Sequence, residues 1–413
     1  MGAEDLRLRE SGTSPAAATT YLIAGAGPAA DAAAAGLRDA GYEGRIVMVG
    51  AEAAAPYDRT HLSKAYLTGR LPRERLPLRA PEWYREQRIE LELGVAVAAI
   101  DLGGRRAQLS DGRRLRFDGL LLAVGGEPRT LPFLPDALTL RDIASADRLR
   151  AVLERAGELT IVGAGFIGCE VAAGARELGL QVTVLERLGN PLQRVLGDEL
   201  GRYLASVHRA HGVRLLTEVD ELPELRGPVL VATGSRPRDE LARAAGLRVN
   251  DGVEVDATGR TSSGVAFAAG DCARFYSPSL RASVRVEHFQ TAERHGYATG
   301  RTMAGDVRPF SEVPWFWSDQ YDLRLQYVGA GLGWDRIAVR GRLGEPPFTA
   351  FYLDGDRLVA AASVNDARTI SHARRLLEQG VSPPVDVLAD PARSLKALAH
   401  PQSAAEGRPG SGP

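Results

Sequence analysis

Four residues near the middle of the chain have the types and spacing of a site that binds a pyrophosphate and a ribose. Gly163, Gly165 and Gly168 follow the pattern GxGxxG, and Glu186 stands 23 positions after the first glycine (186 − 163). The first glycine permits a tight turn, the second lets the backbone approach a pyrophosphate, and the third allows close packing of a helix. A carboxylate at this distance accepts hydrogen bonds from a ribose diol. The pattern therefore predicts a dinucleotide site.

The residues around these glycines predict the elements that must position them. An apolar run, 159–162, is short enough for a buried strand, and a helical stretch, 170–178, stops at Gly179. A second apolar run, 182–185, leads directly to Glu186. Strand, turn, helix and strand in this order form a βαβ unit, whose helix N-terminus offers free N–H groups to phosphate. The alternative is a glycine-rich turn in another kind of α/β protein.

A second unit of the same kind occurs earlier in the chain. A strand at 21–24 precedes GAGPAA, and an alanine-rich helix from Asp31 to about Gly41 leads to a strand at 46–49. The three key positions are Gly25, Gly27 and Ala30. Two such units predict two dinucleotides, and hydride exchange between a flavin and a nicotinamide is the chemistry that uses both.

Two charged residues after this first unit are candidates for binding or chemistry. Ala51 occupies the position of the expected ribose-binding carboxylate, so we predict that Glu52, one residue later, serves instead; the alternative is a solvated loop charge. Lysine is almost absent, since Lys64 and Lys396 are the only two. Arginine replaces lysine on solvated surfaces but not where a compact ammonium is required. We therefore predict a functional role for Lys64, against the alternative of a surface charge.

The remaining segments predict an antiparallel meander, one more helix and a C-terminal domain. Residues 89–129 alternate like a small antiparallel meander, and a shorter copy of the same order occurs at 213–238. Residues 285–303 are predicted to form a helix. From 313 to about 399, strands are followed by a helix at 367–379, which is typical of an α+β domain.

Composition narrows the class of protein. A chain of 413 residues predicts two or three domains, and a formal net charge of −1 argues against nucleic acid or an anionic membrane as a partner. No stretch is apolar and long enough to predict a membrane span. Cys169 and Cys272 are the only cysteines; they form neither a CxxC motif nor a metal-ligand cluster, which predicts a soluble protein of the reducing cytoplasm without a metal site.

Six motifs in order resemble those of the FAD-dependent ferredoxin reductases of the pyridine-nucleotide reductase superfamily, the putidaredoxin reductase-like enzymes related to apoptosis-inducing factor. They are GAGPAA, PYDRTHLSK, GAGFIGCE, AAGDCARF, RVEHFQTA and PWFWSDQYDL, and the resemblance covers about residues 20–399. It implies an α/β fold with two Rossmann-like domains, for FAD and NAD, and a C-terminal α+β domain. The implied bounds are 19–140 and 246–308 for the FAD domain, 141–245 for an NAD domain with a shortened meander, 309–399 for the C-terminal domain, and disordered tails at 1–18 and 400–413.

The resemblance also implies the residues of each site. The FAD residues would be Gly25, Gly27, Pro28, Ala29 and Ala30 at the pyrophosphate, Glu52 at a ribose, Val97 and Arg129 at the adenine half, Arg59, Lys64 and Asp271 toward the ribityl chain and ring, and His288, Phe289 and Trp317 around the ring. The NADH residues would be Gly163, Gly165, Phe166, Ile167, Gly168 and Glu186, with Glu170, Gly234 and Glu287 near the nicotinamide.

The implied activity is a hydride transfer from NADH to flavin N5, followed by single-electron transfer to a small iron–sulfur ferredoxin that serves a monooxygenase or dioxygenase. Lys64 and Glu170 are the pair predicted beside N5, and the alternative is an ordinary interdomain salt bridge. An NADH oxidase or quinone-type reductase, and a redox-sensing flavoprotein like apoptosis-inducing factor, are the competing functions. The absence of a CxxxxC motif argues against disulfide reduction, so Cys169 and Cys272 are most simply small buried residues. We expect a monomer or a weak homodimer.

Overall fold

The two predicted βαβ units form the centres of two parallel sheets in the computed structural model, which describes residues 19–399. The first part of the chain contains β1 (Thr20–Ala24), α1 (Pro28–Asp39), β2 (Arg45–Gly50), α2 (Pro81–Glu86), β3 (Ile89–Leu93), β4 (Val97–Asp101), β5 (Arg106–Leu109), β6 (Arg114–Arg116), β7 (Gly119–Leu122) and β8 (Gly126–Pro128). The middle part contains α3 (Ile143–Leu153), β9 (Glu158–Val162), α4 (Phe166–Glu177), β10 (Gln181–Leu185), α5 (Gln193–Ala210), β11 (Arg214–Leu216), β12 (Val229–Val231), β13 (Ser235–Pro237) and α6 (Glu240–Ala244).

The chain then returns to the first sheet before it forms the last domain. This part contains β14 (Val253–Val255), β15 (Ala266–Ala268), β16 (Ala273–Ser277), β17 (Ala282–Val284) and α7 (Phe289–Met303). The C-terminal part contains β18 (Trp315–Gln320), β19 (Leu323–Val328), β20 (Arg336–Arg342), β21 (Glu345–Asp354), β22 (Arg357–Val364), α8 (Ala367–Gln379), α9 (Val385–Ala389) and α10 (Leu395–Ala399).

The two parallel sheets repeat one strand order. The first runs β15-β7-β1-β2-β3 and the second β12-β9-β10-β11, so that β7, β1, β2 and β3 correspond to β12, β9, β10 and β11. The repeat extends to the glycine turns. A Cβ on Gly25 would lie 2.1 Å from the Ala123 carbonyl oxygen, and a Cβ on Gly163 would lie 2.5 Å from that of Ala232. Both glycines also have positive φ, +120° and +104°, which other residues rarely adopt.

Each repeat also has a short strand after its last parallel strand, β8 in the first repeat and β13 in the second. These two strands pair with each other in antiparallel fashion, which joins the two repeats. Because β15 follows the second repeat in sequence but lies in the first sheet, strands from both sides of the inserted segment share one sheet. The domain bounds given above stay a prediction.

Helices α1 and α7 pack with their backbones in contact. A Cβ on Gly296 would lie 2.2 Å from the Ala29 carbonyl oxygen, and a Cβ on Gly300 would lie 2.1 Å from that of Ala33. The alanines of α1 and the glycines of α7 therefore permit an approach that larger residues would prevent. The contact of Ala29 with Gly296 thus joins the start of α1 to the middle of α7.

The C-terminal sheet is antiparallel, in the order β18-β19-β22-β21-β20. Helix α8 packs on one side of it; this helix begins after Asp366, whose carboxylate accepts from the Thr369 N–H (3.1 Å), and ends at Gly380. On the other side the sheet shares a core with α5. Leucines at every fourth position form this contact: Leu192, just before α5, and Leu196, Leu200 and Leu204 within it. They pack with Phe316, Tyr327, Phe348 and Tyr352.

Three predicted elements have different bounds in the structure. The helix predicted at 170–178 begins at Phe166, because Gly168 lies within its first turn and contacts the Gly163 carbonyl there. The helix predicted at 285–303 begins only at Phe289, because the chain before it is extended. The meander predicted from 89 is limited to β4–β6, because β3 joins the parallel sheet as its edge strand and alternates for that reason.

The second repeat lacks the strands of that meander, since residues 217–228 contain none. The predicted tails, 1–18 and 400–413, lie outside the described residues. Among the helices of residues 19–399, none combines the length and the apolar character that crossing a bilayer requires.

Candidate functional site

A cavity of about 890 Å³ lies between the first sheet, α4 and β18. It brings together residues that are far apart in sequence, from the Gly25 turn to the C-terminal sheet. The predicted residues that line it are Gly25, Gly27, Pro28, Ala29, Glu52, Arg59, Lys64, Val97, Phe166, Ile167, Glu170, Asp271, Glu287, His288, Phe289 and Trp317.

One end of the cavity has the form of a phosphate cradle. A Cβ on Gly27 would meet nothing within 4 Å, so the backbone is open to the cavity at this residue. Gly27 precedes α1, and the first helical N–H with a partner inside the helix is that of Asp31, which donates to the Gly27 carbonyl (3.0 Å). The earlier N–H groups of α1, including that of Ala29, are therefore available to an anion. Ala30 itself is fully buried and does not line the cavity.

Glu52 stands just beyond the end of β2, where its carboxylate is held by two neighbours. The Tyr57 hydroxyl donates to one oxygen (2.6 Å), and Arg59 donates to the other (2.6 Å). Arg59 also donates to Tyr57 (2.7 Å) and to the Arg141 carbonyl (3.0 Å). Burial raises the pKa of Tyr57, which keeps its hydroxyl a donor. The predicted roles of Glu52 and Arg59 stay predictions.

Asp271 is paired with Arg141, a residue that sequence reasoning missed. The guanidinium of Arg141 donates to the Asp271 carboxylate at 2.7 Å, and both residues line the cavity. Burial acts to lower the pKa of Arg141, but the Asp271 carboxylate outweighs it and the pKa is raised. A buried aspartate requires a partner, and that requirement was the only signal available, since 130 residues separate the two.

Arg129 and Gly234 lie outside the cavity. The Arg129 N–H donates to the Gly234 carbonyl (2.9 Å), and the Arg129 side chain donates to the Ser235 carbonyl (3.2 Å). Arg129 lines a separate, smaller cavity of about 330 Å³. Arg129 directly follows β8, which pairs with β13, and its predicted role at the adenine half stays a prediction. Arg141, by contrast, lines the larger cavity.

The second glycine turn stands beside the cavity and does not line it. Only Phe166, Ile167 and Glu170 of the GAGFIGCE motif reach the cavity wall; Gly163, Gly165, Gly168 and Glu186 do not. Glu186 directly follows β10 and accepts from the N–H of Ala164 (2.7 Å) and of Leu188 (2.9 Å). The carboxylate is thus fixed at the mouth of the turn.

Lys64 and Glu170 form a buried ion pair on the cavity wall. The Lys64 ammonium lies 3.0 Å from Glu170 Oε1, and the two side chains are 15% and 6% exposed. Ser318 donates to the same oxygen (2.7 Å), and Ser63 donates to Glu170 Oε2. Lys64 also donates to the Thr60 carbonyl (3.3 Å). Neither serine was identified from the sequence, because nothing local to either one indicates a partner so distant in the chain.

Aromatic side chains close this end of the cavity. The Lys64 ammonium lies 6.0 Å from the ring centre of Trp317. Phe316 stands 4.5 Å from Phe166 and 4.3 Å from His288, measured between ring centres. Burial lowers the pKa of His288 to about 4, so its ring is neutral. Within residues 19–399, the buried Nδ1 atom of His288 has no hydrogen-bond partner.

Both cysteines are buried and protonated. Burial raises the pKa of the Cys169 thiol, and it raises that of Cys272 to about 11. Their thiols contact carbonyl oxygens, Cys169 that of Ala164 (3.6 Å) and Cys272 those of Leu122 and Ala269 (both 3.4 Å). Because the reactive form of cysteine is the thiolate, neither residue is suited to carry a redox step.

The chain matches the pyridine nucleotide-disulphide oxidoreductase family over residues 19–222 and 227–296, and the reductase C-terminal family over residues 315–399. It is 40% identical over 401 residues to the ferredoxin–NAD(+) reductase component of the anthranilate 1,2-dioxygenase system of Burkholderia cepacia, which covers 92% of this chain and 99% of that protein. It is 35% identical over 404 residues to putidaredoxin reductase of Pseudomonas putida, which covers 91% and 96% of the two chains.

A solved structure shows the same architecture. The reductase in the covalent putidaredoxin reductase–putidaredoxin complex superposes with a TM-score of 0.88 at 34% identity, covering 94% of this chain and 99% of that one. The predicted fold class, family and enzyme class are thereby confirmed. The chain belongs to the pyridine nucleotide-disulphide oxidoreductase family and, within it, to the ferredoxin–NAD reductases.

Proposed function

We propose that this chain is the FAD-dependent NADH–ferredoxin reductase of an oxygenase system. The observation that carries the proposal is the cavity wall on which the Lys64–Glu170 ion pair and the Trp317 ring stand together. The overall reaction would be NADH plus two oxidised ferredoxins giving NAD⁺, two reduced ferredoxins and one proton. The relatives are named as ferredoxin–NAD reductases, and one is solved with its ferredoxin.

The residues of the cavity fit FAD from end to end. The open backbone at Gly27 and the N-terminus of α1 would hold its pyrophosphate. Asp271, fixed by Arg141, would accept from the hydroxyls of the ribityl chain. The unpaired Nδ1 of His288 offers a polar contact in the aromatic end. Bound there, FAD would supply the two-electron to one-electron conversion that the reaction requires.

The side chains of the cavity wall would bind that cofactor and orient it. Lys64 places a compact positive charge in the cavity wall, where it would stabilise the negative charge that arrives with a hydride. Glu170 holds the ammonium in place from α4. Phe166, Phe316 and Trp317 would exclude water from the aromatic end, and a dry site strengthens the effect of the Lys64 charge.

NADH would bind at the second glycine turn. The first N–H of α4 with a helical partner is that of Cys169, which donates to the Gly165 carbonyl (2.9 Å), so earlier N–H groups are available to a pyrophosphate. Glu186, fixed by two backbone N–H groups, would accept from the adenosine ribose. The roles assigned to Gly234 and Glu287 at the nicotinamide stay part of this proposal.

The decisive experiment is stopped-flow reduction of the holoenzyme by NADH, followed by reduction of cytochrome c with and without candidate ferredoxins. The proposed function requires rapid reduction by NADH and cytochrome c turnover that depends on ferredoxin. Steady consumption of oxygen without ferredoxin would support an oxidase instead. A complex of reduced protein with NAD that survives for minutes in air would support a redox-sensing protein. We also propose a cytoplasmic monomer or weak homodimer, which size-exclusion chromatography with light scattering tests.

A further inference from the structure

A row of buried polar side chains connects Glu170 to the protein surface. Ser318 Oγ donates to Glu170 Oε1 (2.7 Å), and Gln320 Nε2 donates to Ser318 Oγ (3.1 Å). His208 Nε2 lies 3.0 Å from Gln320 Oε1, and the Tyr321 hydroxyl lies 3.1 Å from His208 Nδ1. Ser318, Gln320 and His208 are at most 2% exposed. We name these four residues and Glu170 the Glu170 chain.

All hydrogen bonds of the Glu170 chain point toward the carboxylate. The side-chain oxygen of Gln320 can only accept, so His208 must carry its proton on Nε2. Its Nδ1 atom is then an acceptor, and the Tyr321 hydroxyl donates to it. Burial lowers the pKa of His208 to about 4, which keeps the ring neutral and this arrangement intact. Hydrogen bonds aligned in one direction polarise one another and favour a negative charge at the accepting end.

The Glu170 chain joins three parts of the fold. Glu170 lies on α4 of the second parallel sheet, His208 lies on α5, and Ser318 and Gln320 lie on β18 of the C-terminal sheet. Its inner end meets Lys64, which comes from the segment after β2. A buried polar group that loses its partner costs free energy. Removal of one member therefore disturbs the others, and the disturbance reaches Lys64 through Glu170.

We propose that Ser318, Gln320 and His208 are positioning residues, which fix the Glu170 carboxylate and, through it, the Lys64 ammonium at the cavity wall. The inference rests on the proposed function only where it concerns the rate of reduction by NADH. The positions of the side chains can be tested without it.

The first test uses the scarcity of lysine. Holoenzyme labelled with ¹³C,¹⁵N-lysine has two labelled residues, Lys64 and the exposed Lys396, which is an internal reference. We expect Ser318→Ala and Gln320→Leu to shift the NMR signals of Lys64 and not those of Lys396. His295→Phe is the matched control, because His295 is equally buried and packs on Phe275 and Phe310, but within residues 19–399 its ring nitrogens have no hydrogen-bond partner. An unchanged Lys64 signal in both variants, or an equal shift in the control, would overturn the proposal.

The second test is the tautomer of His208. In ¹⁵N-histidine-labelled holoenzyme, we expect the His208 signals, assigned by their loss in His208→Phe, to show a proton on Nε2 and no titration at neutral pH. A proton on Nδ1, or a midpoint near the ordinary value of 6.5, would contradict the direction of the hydrogen bonds.

The third test is kinetic and depends on the proposed function. We expect Gln320→Leu to slow reduction by NADH about fivefold, the usual effect of a lost hydrogen bond between neutral groups, with the Kd of NADH unchanged. Ser318→Thr, which keeps the hydroxyl, should restore most of the rate that Ser318→Ala loses. In a Glu170→Gln background, Gln320→Leu should have little further effect. An undiminished effect there would refute a role through Glu170. A wild-type enzyme that NADH does not reduce would refute the proposed function and leave the two NMR tests standing.

Discussion

The Lys64 ammonium lies 3.0 Å from the Glu170 carboxylate, although the two residues belong to different repeats of the fold. Lys64 follows the first βαβ unit, and Glu170 lies in the helix of the second. The ion pair therefore forms only when the two repeats are correctly placed against each other, and the cavity is completed by the same placement.

Replacement of Lys64 by methionine should slow reduction of bound FAD by NADH more than it weakens NADH binding. The charge is needed chiefly when negative charge arrives at the acceptor, so its loss falls on the transition state. Stopped-flow rates at saturating NADH, compared with the Kd of NADH, measure the two effects separately.

The double variant Lys64→Met/Glu170→Gln shows whether the two residues act together. Removal of Lys64 alone leaves a buried carboxylate without its ion-pair partner, which costs about 3–5 kcal/mol of stability. If the pair is a unit, the double variant should cost well below the sum of the two single variants. Strictly additive effects of the two substitutions, or a wild-type rate of reduction in Lys64→Met, would contradict a functional role for Lys64.

NADH should be preferred over NADPH by about tenfold to a thousandfold in kcat/KM, because Glu186 repels a 2′-phosphate. Glu186 also accepts from two backbone N–H groups, so alanine would loosen the turn as well as remove the charge. Glu186→Gln keeps an acceptor and removes only the charge, and it should narrow the preference. Equal kcat/KM values for the two cofactors in the wild type would contradict this role.

Arg141→Leu should lower both FAD retention and stability. The substitution leaves Asp271 as a buried charge without its partner, at a cost of about 3–5 kcal/mol. Arg148→Leu is the control, since Arg148 is an exposed arginine on α3, the helix that begins just after Arg141, and does not line the cavity. Urea unfolding and the fraction of FAD that remains after gel filtration measure the two effects. Equal losses in both variants would contradict a role for the Arg141–Asp271 pair.

The free energy of unfolding should fall as the pH decreases from about 6.5 to about 4. Burial lowers the pKa of His208, His288 and His295 to about 4, whereas the unfolded chain has the ordinary value of 6.5. In this window the unfolded state binds more protons, so each site contributes about 3 kcal/mol that is lost on acidification. His295→Phe should make the dependence on pH shallower. An identical pH profile in this variant would contradict the contribution of His295.

Gly300→Ala should destabilise the protein although alanine favours helices. The gain in helix propensity is about 1 kcal/mol. The new Cβ would lie 2.1 Å from the Ala33 carbonyl oxygen, so α1 and α7 must separate, and overpacking of this kind costs about 1–3 kcal/mol or more. Gly157→Ala, whose Cβ would meet nothing within 4 Å, is the control and should be neutral. Urea unfolding measures the stability of both variants. A Gly300→Ala protein of wild-type stability would contradict the close packing of α1 and α7.

Local patterns in the sequence predicted the repeated units but not the contacts between them. The strands and glycine turns of both units were visible because each is encoded within about 30 residues. Arg141 and Ser318 were missed because their partners lie 130 and 148 residues away, and no periodicity indicates such a contact. The contact of Arg129 with the Gly234 and Ser235 carbonyls was not visible either, because it depends on the pairing of β8 with β13, which links two segments far apart in the sequence.

The leucines of α5 share one core with the aromatic residues of the C-terminal sheet. A contact so apolar behaves like the inside of a domain, so the two parts should lose their structure in one transition during denaturation. The shared core also limits which segments can be exchanged between homologous reductases to make chimeras. A chimera that joins the first 308 residues of this chain to a foreign C-terminal part would place Leu196 and Leu200 against side chains that did not evolve with them. Such hybrids should be more soluble when α5 is transferred together with the C-terminal sheet.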